Sequence, residues 1–137
     1  MTTPLLISRI MQLAVNVQDL PRATAFYRDV LGLPLLFEVP GISFFDCGGV
    51  RLMLSKAEQP ELDHPSSIIY FHVGDIQSSS RALREREVPI VSGPSMIARM
   101  EDREVWIAAF RDSEENLLAL MSEPPIRDRA ASDKPSN

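Results

Sequence analysis

Two histidines, one cysteine, one tryptophan and a cluster of mixed charges are the side chains in this chain whose types could carry chemistry. His72 is the best candidate for a catalytic group, because a neutral imidazole can act as a general base near physiological pH. No orienting carboxylate is identifiable for it, so a histidine satisfied by its neighbours is the competing reading and the catalytic residue stays unknown. His64, within Asp63, His64 and Pro65, reads as a solvated turn residue. Trp106 could stack a planar ligand or pack as an element of a central strand. Arg51 could pair with a carboxylate or phosphate, or face solvent beside the Gly48-Gly49 turn. Cys47 has Arg51 as its single basic neighbour and no evident base, and reads as a small buried hydrophobe. Between 96 and 106 the residues Arg99, Met100, Glu101, Asp102, Arg103 and Glu104 form a charged stretch, read as part of a loop over 92–104 that could close as a lid.

Positioning these groups requires a scaffold, and the hydrophobic pattern supplies one twice. Residues 13–17 read as a strand, and Asp19 and Pro21 then mark a helix entry. Ala23, Phe26, Tyr27, Val30 and Leu31 recur at three- and four-residue spacing, which makes an apolar stripe that Gly32 ends. The same order returns 56 residues later, with 69–73 as a strand, Asp75 as the cap and a helix over 77–87; Val17, Asp19 and Leu20 match Val73, Asp75 and Ile76. Strands are predicted at 35–39, 42–47 and 50–54 in the first half, and at 88–91, 105–111 and 116–121 in the second. The fold class is therefore α+β: two βαβββ modules in tandem, about 10–57 and 66–122, forming a cupped mixed sheet around a central cleft within one domain. Residues 123–137 read as a flexible tail.

Composition narrows the partners. The net charge of −5 and the dispersal of the 14 basic residues argue against nucleic acid, whose phosphates demand clustered cations. No apolar run approaches the ~20 residues that span a bilayer, and no leader is evident, so no membrane association is expected. A single cysteine fits a reducing compartment, and a cytoplasmic location is expected.

The segments LAVNVQDLPRATAFYRDVLGLPLLFE, FFDCGGVRLML and AAFRDSEENLLALMSE, in this order and spacing, resemble the vicinal oxygen chelate superfamily of glyoxalases, bleomycin-resistance proteins and extradiol dioxygenases. The resemblance covers residues 10–122. In metal-dependent branches of that superfamily, inward side chains of matching strands hold a divalent ion. Here the resemblance puts Gln12, Met53, Ile68 and Ala119 at those positions, and such an ion needs several converging N or O donors. No metal and no cofactor are expected. A further departure is the turn Asp112-Ser113-Glu114-Glu115-Asn116, where the family usually places glycine at the position of Glu115.

If Gln12 and Ile68 point inward, strand alternation sends Asn16, Tyr70 and His72 the same way, while Arg51, Met53 and Ser55 share a face of their own strand. The expected ligand-binding cleft is lined by Gln12, Asn16, Arg51, Met53, Ile68, Tyr70, His72, Trp106, Ala119 and Met121, an apolar cup with a few polar points, as small-molecule sites are. The implied function is a metal-independent protein that holds a small organic ligand. The alternatives are an enzyme of the same superfamily, of lactoylglutathione lyase, isomerase or ring-cleaving dioxygenase type, and a dimeric interaction module with a vestigial cup. A homodimer is expected, with the two modules paired within a chain or exchanged between chains.

Overall fold

The computed structural model describes residues 3–126. The chain forms two compact units, Met1–Ser66 and Ser67–Asn137, each built from one strand, one helix and three further strands.

In the first unit β1 (Gln12–Asn16) leads to α1 (Leu20–Ala25), and β2 (Leu35–Val39), β3 (Ile42–Cys47) and β4 (Val50–Ser55) follow. The Asp19 carboxylate accepts a hydrogen bond from Arg22 N–H at 3.1 Å, and Pro21 occupies the first turn, where its missing N–H costs nothing. The helix continues through one π-turn, Phe26–Val30, closed by Leu31 N–H donating to Phe26 C=O. Gly32, at φ 75°, then takes the left-handed conformation that ends it. Ala23, Thr24 and Tyr27 are buried against the sheet. The sheet order is β1-β4-β3-β2, with β1 parallel to β4 and the other pairs antiparallel. Val15, Phe45, Leu52 and Leu54 form the core beneath the helix, and a buried hydroxyl pair, Thr24 with Ser43 at 2.8 Å, satisfies the polar atoms enclosed there. One face of the sheet is thus covered by α1. Alternation leaves Gln12, Ala14, Asn16, Arg51, Met53, Ser55, Ile42 and Phe44 on the other.

The second unit repeats this plan with β5 (Ile69–His72), α2 (Ile76–Glu85), β6 (Ile90–Arg99), β7 (Glu104–Arg111) and β8 (Leu117–Ser122), in the order β5-β8-β7-β6. Asp75 caps α2 by accepting from Gln77 and Ser78 N–H. Ile76, Leu83, Val88, Ala108, Phe110, Leu118 and Leu120 are buried. The duplication extends to register: Ala14 pairs with Met53 in the first unit, and Tyr70 pairs with Ala119 in the second. The tandem βαβββ architecture predicted from the sequence is the one observed. Among the described residues no helix is long and apolar enough to cross a membrane.

Two expectations need correction. The predicted 92–104 loop, and with it the lid over 96–106, does not exist. β6 runs on to Arg99 and pairs with β7 through Arg99↔Glu104, so that only 100–103 turn the hairpin. Gly93 and Pro94 look like a strand break, but register shifts between Ile90 and Ser92, and again between Ser92 and Ser95, absorb them without ending the pairing. The expected flexible tail is also tied down over its first residues. Glu104 N–H donates to Pro124 C=O, Ile126 N–H donates to Asp102 C=O, and Arg103 bridges to Glu123 at 3.2 Å. The rest of that stretch, 127–137, lies outside the described residues.

Candidate functional site

The uncovered face of the first sheet carries a connected polar and aromatic cluster. Register places Gln12 beside Arg51, and the Arg51 Nε–H donates to Gln12 Oε1 at 3.0 Å. The guanidinium also lies over the Phe44 ring, 5.5 Å from its centroid, and Phe44 stacks on Phe37 at 4.5 Å. The other end of the Gln12 amide donates to the Met53 sulfur at 3.7 Å. Arg51 is half-buried here, not the solvated side chain that its place beside a Gly-Gly turn allows.

Further along the same face lies a cavity of about 300 Å³, at the lower end of the range for small-molecule pockets. Its floor comes from Ala14, Ile42, Met53 and Ser55, and its far wall from Lys56, Glu58, Leu62, His64 and Ser66. That wall is the segment after β4, which contains a 3-10 turn, Pro60–Leu62. Asn16 holds the segment in place: its Nδ2 donates to Leu62 C=O at 2.7 Å and to His64 C=O at 2.8 Å, while its backbone N–H donates to Ser66 Oγ. Asn16, expected in the ligand cleft, lines this cavity and also clasps its wall, its amino group engaged by the main chain. His64 is exposed at a bend, as expected, and also borders the cavity, with its Nδ1 3.0 Å from Pro65 C=O. The wall escaped the sequence reading because a linker bent back over a sheet has no periodic signature. The one local hint was an asparagine at the end of a strand, able to bond main chain it does not belong to.

In the second unit Ile68, Tyr70 and His72 are exposed, and register sets Tyr70 beside Ala119 and His72 beside Met121. The His72 side chain, exposed at the end of its strand, makes no hydrogen bond or ion pair among the described residues, so no carboxylate orients it. Trp106 does not share the face of Ala119 and Met121. It pairs with Ser122, whereas Ile107 pairs with Met121 and Ala109 with Ala119, so the period of two puts the indole on the opposite side. Its Nε1–H donates to Glu104 at 3.1 Å. Ile107 and Ala109 are the β7 residues that take the place expected for it.

The donors at the positions where the resemblance puts a metal do not fit one. Gln12 offers a single carbonyl oxygen, and that oxygen already accepts from a guanidinium cation. Met53 supplies a soft thioether, and Ile68 and Ala119 supply hydrocarbon. Among the described residues no group of three or more His, Cys, Asp or Glu is arranged to hold an ion.

The family model described as Glyoxalase/Bleomycin resistance protein/Dioxygenase superfamily matches residues 9–120. A "Metallothiol transferase FosB" of Staphylococcus haemolyticus is 28% identical over 93 residues, covering 64% of this chain and 67% of that protein. Among solved structures, TnmS3, an antibiotic binding protein from Streptomyces sp. CB03234, superposes with a TM-score of 0.71 at 23% identity, covering 88% of this chain and 98% of that one. A lactoylglutathione lyase from Agrobacterium tumefaciens superposes with a TM-score of 0.66 at 24% identity, covering 85% and 94%. At these identities the two structures share the fold.

Proposed function

This chain belongs to the Glyoxalase/Bleomycin resistance protein/Dioxygenase superfamily, and from that premise we propose that it is a metal-independent protein that binds a small organic ligand on the uncovered face of its first unit. The observation that carries this reading is the Arg51–Gln12 hydrogen bond. It sets a fixed cation, backed by aromatic rings, where a metal-binding relative needs oxygen and nitrogen donors, and a cation there repels a second one. The adjoining cavity, apolar with a few polar points, suits an organic ligand. An antibiotic-binding protein on the same fold supports the same reading. The chain works in the cytoplasm as a homodimer on this proposal.

A thermal-shift screen of small aromatic and aliphatic compounds tests it. A ligand at ~100 times its dissociation constant stabilises the fold by about 2.7 kcal/mol, and no response across a broad library would remove the proposal. The similarity to a protein named a transferase favours a second reading, an enzyme. Titration with Ni²⁺, Zn²⁺, Fe²⁺ and Mn²⁺ tests its metal-dependent form, which stoichiometric binding of an ion with dependent turnover selects and no binding removes; for a metal-free enzyme with His72 as general base, His72→Gln should lower turnover about 10²- to 10⁴-fold.

A further inference from the structure

We propose that the ligand of this face is a compact organic acid whose carboxylate is gripped by the two terminal amino groups of Arg51 and whose apolar body lies in the cavity floored by Ala14, Ile42 and Met53. This rests on the small-molecule reading and names the chemistry of its ligand. Arg51 uses Nε–H for Gln12 and its ring-facing surface for Phe44. Its Nη1 and Nη2 make no hydrogen bond or ion pair among the described residues. A half-buried guanidinium with an unused terminal edge presents two parallel N–H donors in a fixed plane, the geometry that a carboxylate matches with both oxygens.

Asp46 faces Arg51 across the β3–β4 ladder, but its Oδ1 accepts from Gly49 N–H at 3.2 Å, and no ion pair joins the two side chains. Gln12 acts here as a positioning residue, because its oxygen fixes the rotation of the guanidinium while its amino group leans on the Met53 sulfur. Met53 is also part of the cavity floor. Arg51 and Met53 lie two residues apart on one strand face, ~7 Å along the sheet, so one small molecule spans both. The cavity walls contribute one charge of each sign, Lys56 and Glu58, which leaves Arg51 to set the charge of the ligand.

Calorimetric titration of the intact protein with 2-naphthoate and with 2-naphthamide, which share a body and differ in charge, tests the assignment. The acid should bind at least tenfold more tightly than the amide. Arg51→Gln should erase that difference, with an unchanged circular dichroism spectrum and a cooperative thermal transition showing that the variant is folded. Arg51→Lys should recover part of the preference, since an ammonium keeps the charge but not the paired donors. Ala14→Phe, which fills the cavity, should weaken both probes. Equal binding of acid and amide by the native protein overturns the proposal, as does an acid preference that survives Arg51→Gln, or no binding of either probe. Binding of the amide alone, or of neutral compounds in the wider screen, would leave the small-molecule reading standing while removing the acid.

Discussion

The carboxylate of Asp112, 3% exposed, accepts from Glu114 N–H and Asn116 N–H at 2.8 Å and from Asn116 Nδ2 at 3.0 Å. Asp112→Ala should therefore cost about 2–4 kcal/mol, read as a lowered denaturation midpoint, because buried donors would lose a charged acceptor. Three residues on, Glu115 holds φ 67°, a conformation that strains any residue with a Cβ. Its own C=O accepts from Arg111, a contact indifferent to the side chain at 115. Glu115→Gly should stabilise by about 0.5–1 kcal/mol, since relief of strain outweighs the added freedom of the unfolded chain. At Cys47, burial and then the neighbouring Asp46 carboxylate push the thiol pKa up. The folded state therefore keeps the proton to higher pH than the unfolded chain does, and its contribution to stability, fully present at neutral pH, declines as pH rises above ~8.5. Thiol titration should find Cys47 reacting several-fold more slowly in the native protein than in denaturant at pH 8. Comparable rates would show that the thiol is open.

At the level of elements, α2 encloses a hydroxyl with no hydrogen-bond partner among the described residues, that of Ser80, at 0% exposure. Ser80→Ala removes that polar atom and places the best helix former on the buried face, and should raise stability by about 0.5–1.5 kcal/mol by chemical denaturation. β6 gives the opposite expectation. Gly93 sits at φ 84°, and a Cβ there would run into the Ile107 carbonyl and the Ala108 backbone, so Gly93→Ala should loosen the β6–β7 pairing and lower the melting temperature by several degrees. Helices and most strands were legible in the sequence because their signals are local: Asp caps, Gly32 at a helix end, three-and-four spacing, alternation. The long hairpin was not, because a bulge is a relation between two strands and Gly93-Pro94 alone reads as an interruption. The face of Trp106 was lost for the same reason. Alternation fixes which residues share a side, but only the Trp106↔Ser122 register says which side that is.

At the scale of the whole molecule, the segment before β1 leaves Leu5, Leu6, Ile7, Ile10 and Met11 between 60% and 86% exposed. The homodimer proposed above would have such a run of large apolar side chains to cover. Light scattering behind a sizing column should give twice the chain mass, and Leu6→Asp with Ile10→Asp should shift it towards one. A native protein of single-chain mass would end that expectation. The duplication was readable at this scale because both halves repeat one pattern of residues. The candidate site was only partly so: its polar cluster lies on strands whose alternation could be counted, but its cavity depends on a linker folding back.

Asn16 grips that linker by the carbonyls of Leu62 and His64, groups that every amino acid possesses. The clasp is therefore blind to which side chains stand at 62 and 64, although both border the cavity. Those two positions can change letter by letter while the backbone stays where it is, so the binding preference of the pocket is open to revision at little risk to the fold.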